Sequence, residues 1–94
     1  MNIDDTIWLP PIVDKLASKH GVTTIEVEEV LMSSLRFYRA ERGVRPGEDL
    51  YMTYGQTFNG RHLVVFFVLK RTNAALVISA RDMTSRERRH HGKK

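Results

Sequence analysis

Seven consecutive apolar residues, Leu63 to Leu69, stand between two turn signals, Asn59-Gly60 before them and Thr72-Asn73 after them. A bilayer span needs roughly 20 apolar residues, so this run suits instead a central strand covered on both faces. Asn-Gly tolerates positive φ and closes hairpins, which predicts antiparallel pairing between the strand from Arg61 and an aromatic strand that begins at Leu50 and ends near Gln56. A further strand, Ala74 to Ala80, follows the Thr72-Asn73 turn. A weakly alternating stretch, Leu35 to Tyr38, adds an extended segment, and the polar loop Glu41 to Asp49, with Gly43, Pro46 and Gly47, is expected to be mobile.

Before these strands the period is helical. Ile12, Val13, Leu16, Ala17 and His20 recur on one stripe, Pro10-Pro11 suits a helix start and Gly21 its end, so residues 10–20 read as a first helix. Thr23 and Glu26 have capping-box spacing and open a second helix that ends near Ser33-Ser34; its glutamates, Glu26, Glu28 and Glu29, read as a solvated outer face. Thr84 and Glu87 repeat the box and predict a short last helix over 85–90, with 91–94 fraying. Helix, helix, a three- to four-stranded antiparallel meander and a short helix make an α+β domain with its helices on one sheet face and the other face left for a partner. At 94 residues the chain supports one domain, 1–94.

Charge divides along the chain. Residues 1–35 hold two basic and six acidic side chains, whereas residues 36–94 hold thirteen and five. A basic half on a small domain suits a polyanion or an acidic protein, although a merely well-solvated surface has the same composition. Cysteine is absent, which excludes disulfides and thiolate metal sites and points to a reducing cytoplasm; the acidic start, with Asp4 and Asp5, lacks the features of a signal peptide, and no membrane segment is expected. No phosphate-cradling glycine loop, nucleophile elbow or H-E-x-x-H pattern is present, so the sequence does not point to nucleotide-driven or zinc-hydrolase chemistry. The adjacent His90 and His91 read as part of a basic tail rather than as metal ligands.

A set of segments stands out by its order and wording: Ile7-Trp8, Lys19-His20-Gly21-Val22, the Glu-rich segment to Met32, Tyr51 to Gly55, Gly60-Arg61, and Ile78-Ser79-Ala80-Arg81-Asp82-Met83-Thr84 with Arg86-Glu87-Arg88-Arg89. In these segments the chain resembles the BrnT family of toxins. The resemblance implies a RelE-like fold and a ribonuclease of a type II toxin–antitoxin pair, neutralised by a BrnA-like antitoxin. RNA is then the substrate, no metal or organic cofactor is needed, and a homodimer or a toxin–antitoxin hetero-oligomer is the implied assembly. Where the family commonly reads W-D-P-x-K this chain has Trp8-Leu9-Pro10-Pro11-Ile12, and Leu50 stands where an arginine is often found. These replacements leave a second reading open, a catalytically inactive interaction module.

Cleavage without a metal requires a deprotonated 2′-hydroxyl, stabilisation of the phosphorane's charge and a protonated leaving oxygen. Arg61 and Arg81 are the candidate charge stabilisers. The start of one hairpin strand lies beside the end of the next, so the two guanidiniums are expected to share one phosphate; a strand-end charge and a cap or ion pair are their structural alternatives. His20 or Glu87 is the candidate for proton transfer, against a helix-terminal role for His20 and a capping role for Glu87. Lys19, Tyr54 and Arg88 complete the set as RNA contacts. Tyr51 and Tyr54 can stack on bases or pack on the sheet, and Trp8 reads as core.

Overall fold

A computed structural model describes residues 1–43, 45 and 47–91. The elements in order are β1 (Asp5–Ile7), α1 (Pro10–Lys15) running on into one π-helical turn (Leu16–His20), α2 (Thr24–Ser33), β2 (Tyr38–Glu41), β3 (Leu50–Gln56), β4 (His62–Leu69), β5 (Ala74–Asp82) and α3 (Ser85–His91). The fold is α+β with a five-stranded sheet in the order β1-β5-β4-β3-β2.

Strands β2 to β5 form the antiparallel meander, but the sheet is mixed. β1 pairs in parallel with β5, Asp5 opposite Ala74, and Asp4 N–H donates to the Asn73 carbonyl at 2.9 Å. Three residues are too few to display a period-2 pattern, so this strand is formed by its tertiary partners. Glu28 of α2 accepts from Thr6 Oγ1 and from Trp8 Nε1, both at 2.9 Å, which ties β1 and the half-buried Trp8 to the second helix. The glutamates of α2 are therefore engaged rather than merely solvated. The extended segment expected from Leu35 begins instead at Tyr38, because Leu35 follows directly on α2 and is 96% exposed.

Asn59-Gly60 does not form a two-residue turn. β3 and β4 pair to Gln56↔His62, and the connection is closed by Thr57 N–H to the Arg61 carbonyl at 2.8 Å, with only Gly60 of the pair at positive φ (90°). At the next turn Asn73 takes positive φ (63°), as its short polar side chain allows. The Glu41 to Asp49 loop lies partly outside the described residues, at 44 and 46; within it Asp49 accepts from Gly43 N–H at 2.7 Å.

The core lies between one sheet face and the N-terminal helices. Leu63, Val65 and Phe67 of β4 and Ala75, Val77 and Ala80 of β5 pack against Leu16, Val22, Val27, Val30 and Leu31. Gly55 lets α2 sit this close to the sheet, since a Cβ there would lie 2.8 Å from Val30 Cγ1 and 3.0 Å from Ser34 Oγ. α3 lies against the opposite face, so the helices are not confined to one side: its His91 ring stacks on Tyr54. That helix extends one residue beyond the expected 85–90, and 92–94 lie outside the described residues.

One irregularity in β5 decides which side chains share a face. Phe67 pairs with Val77 but Phe66 pairs with Ser79, leaving Ile78 as an extra residue. Because side chains alternate with period 2, the bulge turns every residue after it to the face it would otherwise avoid. Asp82 then pairs with Leu63 on the helix-covered face, and Arg81 pairs with Val64 on the other.

Two variants check the packing. Gly55→Ala should destabilise the fold by about 1–3 kcal/mol through overpacking against Val30, measured by urea unfolding. Leu9 occupies the N-cap of α1 without a side-chain cap bond, so Leu9→Asp should raise stability by about 0.5–2 kcal/mol in the same assay.

Candidate functional site

Two arginine centres lie on opposite faces of the sheet. On the helix-covered face, Arg61 Nε and Nη2 hold the Asp82 carboxylate at 2.7 and 3.0 Å. Its Nη1 donates to the Gly21 carbonyl at 2.7 Å and to Glu26 at 3.3 Å, and its Nη2 also donates to the His20 carbonyl at 2.8 Å. A guanidinium has five N–H groups, and these contacts use all of them. Arg61 thus caps the exposed carbonyls at the end of the first helical segment, joins them to the capping box of α2 (Thr23 N–H to Glu26 Oε1, 3.0 Å) and ties both to the end of β5. Its pKa is raised, first by the hydrogen bonds to Asp82; those bonds are also the first cause that holds the Asp82 carboxyl below its ordinary value.

Lys19 and His20 belong to this same end of the molecule. Lys19 is exposed in the last helical turn, and half-buried His20 lies near enough to Asp82 to contribute to the stability of that carboxylate. The geometry does not bring Arg61 to Arg81, and the expectation that they share one phosphate is corrected by the Ile78 bulge. Without that extra residue Arg81 would pair with Leu63 and project beside Arg61.

On the other face, Tyr54, Val64 and Arg81 form one cross-strand row. Arg81 Nη1 and Nη2 grip Glu87 at 2.7 and 3.1 Å, Nη1 also reaches the Asp82 carbonyl at 3.1 Å, and the guanidinium carbon lies 5.8 Å from the Phe66 ring centroid. Three of its five N–H groups are engaged among the described residues, which leaves two. Glu87 also completes the second capping box with Thr84, accepting from its N–H at 2.8 Å. The Arg81 hydrogen bonds, chiefly, hold its pKa down at about 2, against burial and with help from Thr84. A carboxylate so stabilised is a weak base near neutral pH.

The Arg81–Glu87 pair seats α3 so that His91 stacks on Tyr54, ring centroids 3.7 Å apart and planes at 1°, with Tyr38 edge-on to both. Burial, and after it the Glu87 charge, raises the Tyr54 phenol pKa above its usual 10.0. Arg88 is exposed on the same helix. Beside this stack opens a cavity of about 810 Å³, lined by Arg36, Tyr38, Tyr54, His62, His90 and His91 among others, with no carboxylate in the lining. Thr53 Oγ1 donates to the Arg36 carbonyl at 2.7 Å and anchors that segment to the sheet. Among the described residues, no group of three or more His, Cys, Asp or Glu is placed to hold a metal ion, and no helix is long and apolar enough to cross a membrane.

Sequence reasoning missed Arg36, Tyr38, His62 and the two terminal histidines as neighbours. The alternation of β4 puts His62 on the same face as Val64, and an i, i+4 reading from Glu87 puts His91 beside it, but the partner of that helix face was not legible. Of the residues that replace family ones, Leu9 is the N-cap of α1 and Ile12 lies within it and packs against the core. Leu50 stands at the opposite end of β3 from the cavity, about 13 Å from Tyr54 along the strand.

A small α+β domain with guanidinium, imidazole and aromatic groups gathered on a sheet face presents a surface of the kind suited to a polyanion. The family model described as ribonuclease toxin, BrnT, of type II toxin-antitoxin system matches residues 10–87, and the chain belongs to that family. Membership makes RNA the implied substrate and an antitoxin the implied partner. A search of curated proteins finds no match.

Arg61→Ala should cost about 2 kcal/mol in urea unfolding, since it leaves the Asp82 carboxylate and two carbonyls without donors and Glu26 with only those of its capping box, and Arg61→Lys should not restore it, because an ammonium cannot serve all four acceptors. Glu87 titrates at about 2 in the folded chain and near 4.5 otherwise. Its stabilising contribution is therefore complete above about pH 4.5 and lost as pH falls towards 2. The thermal midpoint should decline across that window, and less steeply in Arg81→Ala.

Proposed function

We propose that this chain cleaves RNA without a metal ion on the sheet face that carries Arg81, and that a BrnA-like antitoxin silences it in the cytoplasm by covering that face in a hetero-oligomer. The observation that carries the reading is the contrast between the two arginines: Arg61 engages all five of its N–H groups, whereas among the described residues Arg81 leaves two unengaged and its partner Glu87 lies on the helix whose His91 lines a cavity with three imidazoles and, among those residues, no carboxylate.

On this reading Arg81, already oriented by Glu87 and Phe66, donates its remaining N–H groups to a non-bridging phosphate oxygen as charge accumulates there. Glu87 serves as the holder of Arg81. Proton transfer then falls to an imidazole at the cavity, with His91 best placed by its stack on Tyr54. Arg61, bonded to the His20 carbonyl, acts on the opposite face, where it holds the helical layer to the sheet, and Lys19 lies exposed on that layer. Tyr54 and Arg88 contact RNA beside the reacting phosphate. The family residues replaced by Leu9, Ile12 and Leu50 lie away from this cavity, so their loss does not favour the inactive-module reading.

Inducible expression in a bacterial host, with cleavage by purified protein in excess EDTA alongside, tests this. Wild type should arrest growth and cut RNA with EDTA present. Arg81→Ala should stay folded, since a partly exposed ion pair contributes little to stability, and lose activity about 100-fold or more. A folded Arg81→Ala protein as active as wild type, or wild-type activity abolished by EDTA, would contradict the assignment.

A further inference from the structure

One residue that lines the cavity beside Tyr54 carries a polar atom without a partner among the described residues. His62, the first residue of β4, is half-buried, and its Nδ1 is buried with no hydrogen-bond partner among the described residues. A buried N–H without an acceptor is costlier than a buried lone pair without a donor, so the unpaired Nδ1 is the unprotonated nitrogen. The ring proton then resides on Nε2, the other polar atom of a side chain that lines the cavity. His62 thereby offers its Nε2–H as a hydrogen-bond donor.

The rest of the lining fits the same ligand. Arg36 brings a cation, and its segment is held by Thr53 Oγ1 at 2.7 Å. Tyr54 and His91 form a flat aromatic wall, stacked at 3.7 Å. Among the described residues no carboxylate lines the cavity to repel an anion, and a volume of about 810 Å³ is within the range of small-molecule sites.

We infer that this cavity is a ribonucleotide site in which His62 Nε2–H and Arg36 hold a phosphate while the Tyr54–His91 wall receives the adjoining base. The inference rests on the ribonuclease reading for its substrate class, and it adds a substrate-contacting residue, His62, that takes no part in proton transfer. It follows that any side chain offering a similarly placed N–H should substitute for the imidazole, which neither an acid–base role nor a purely structural one would permit.

The test uses the full chain with ¹⁵N-labelled histidine, titrated with uridine 3′-monophosphate and, separately, with inorganic phosphate. In the free protein His62 should carry its proton on Nε2, and the nucleotide should shift that nitrogen together with the His91 ring. Affinity for the nucleotide should fall about tenfold or more in His62→Ala and stay within about threefold of wild type in His62→Gln. Inorganic phosphate should bind more weakly than the nucleotide. A protonated Nδ1, an unmoved His62 signal at saturation, equal affinity for phosphate and nucleotide, or a His62→Gln loss as large as that of His62→Ala would each overturn the site. The wild-type tautomer and titration decide the matter even where a variant fails to fold. RNA cleavage measured in parallel separates the two readings: binding as described without cleavage upholds the site and removes the ribonuclease, whereas cleavage with a silent His62 removes the site and leaves the ribonuclease.

Discussion

A single extra residue in β5, Ile78, sets the arrangement on which everything else depends. The bulge shifts the register of the β4–β5 pair by one, so that Asp82 faces the helical layer and Arg81 faces away from it. One consequence is structural: Asp82 can meet Arg61, whose five donors then hold the end of the first helical segment, the start of α2 and the end of β5 together. The other bears on the proposed site: Arg81 emerges across the sheet from Tyr54 with two of its guanidinium N–H groups unengaged among the described residues.

The two arginines illustrate how the same side chain takes different work from its surroundings. Arg61 sits where two helix-terminal carbonyls and two carboxylates converge, and a planar fork satisfies them as no ammonium can. Arg81 meets one carboxylate, Glu87, which both cancels much of its charge and fixes its direction. That pair also anchors α3, and through α3 it brings His91 onto Tyr54 and completes a cavity wall. Stability of the last helix and construction of the cavity are consequently one problem. The charge asymmetry of the sequence takes shape here: the glutamates of α2 are used in holding the helical layer to the sheet, and the cationic and imidazole groups collect beyond it.

Much of the fold was legible because local signals agreed with the tertiary outcome. Both capping boxes, Thr23 with Glu26 and Thr84 with Glu87, form as their spacing requires, Gly21 ends the first helical segment at φ 60°, and Leu63 to Leu69 is the central strand. What could not be read was set by partners distant in sequence. β1 is three residues long and exists through β5 and Glu28, and the π-helical turn at Leu16–His20 leaves no mark on the hydrophobic period. The site was half legible: Arg81, Glu87 and Tyr54 were named from the chain and do lie together. Arg61 was placed beside them because hairpin pairing without a bulge would put it there. His91 was dismissed with the basic tail, since nothing in four terminal residues announces that one will stack on a tyrosine of β3.

The central claim is that RNA meets the face of the sheet opposite the α1–α2 layer. Photocrosslinking to a non-cleavable 2′-O-methyl RNA tests it most directly, with a photoreactive group placed either at Met52, in the row next to Tyr54 on the Arg81 face, or at exposed Lys19 on the helical layer. The account predicts crosslinks from Met52 and background levels from Lys19. Crosslinks from Lys19 equal to or stronger than those from Met52 would contradict it.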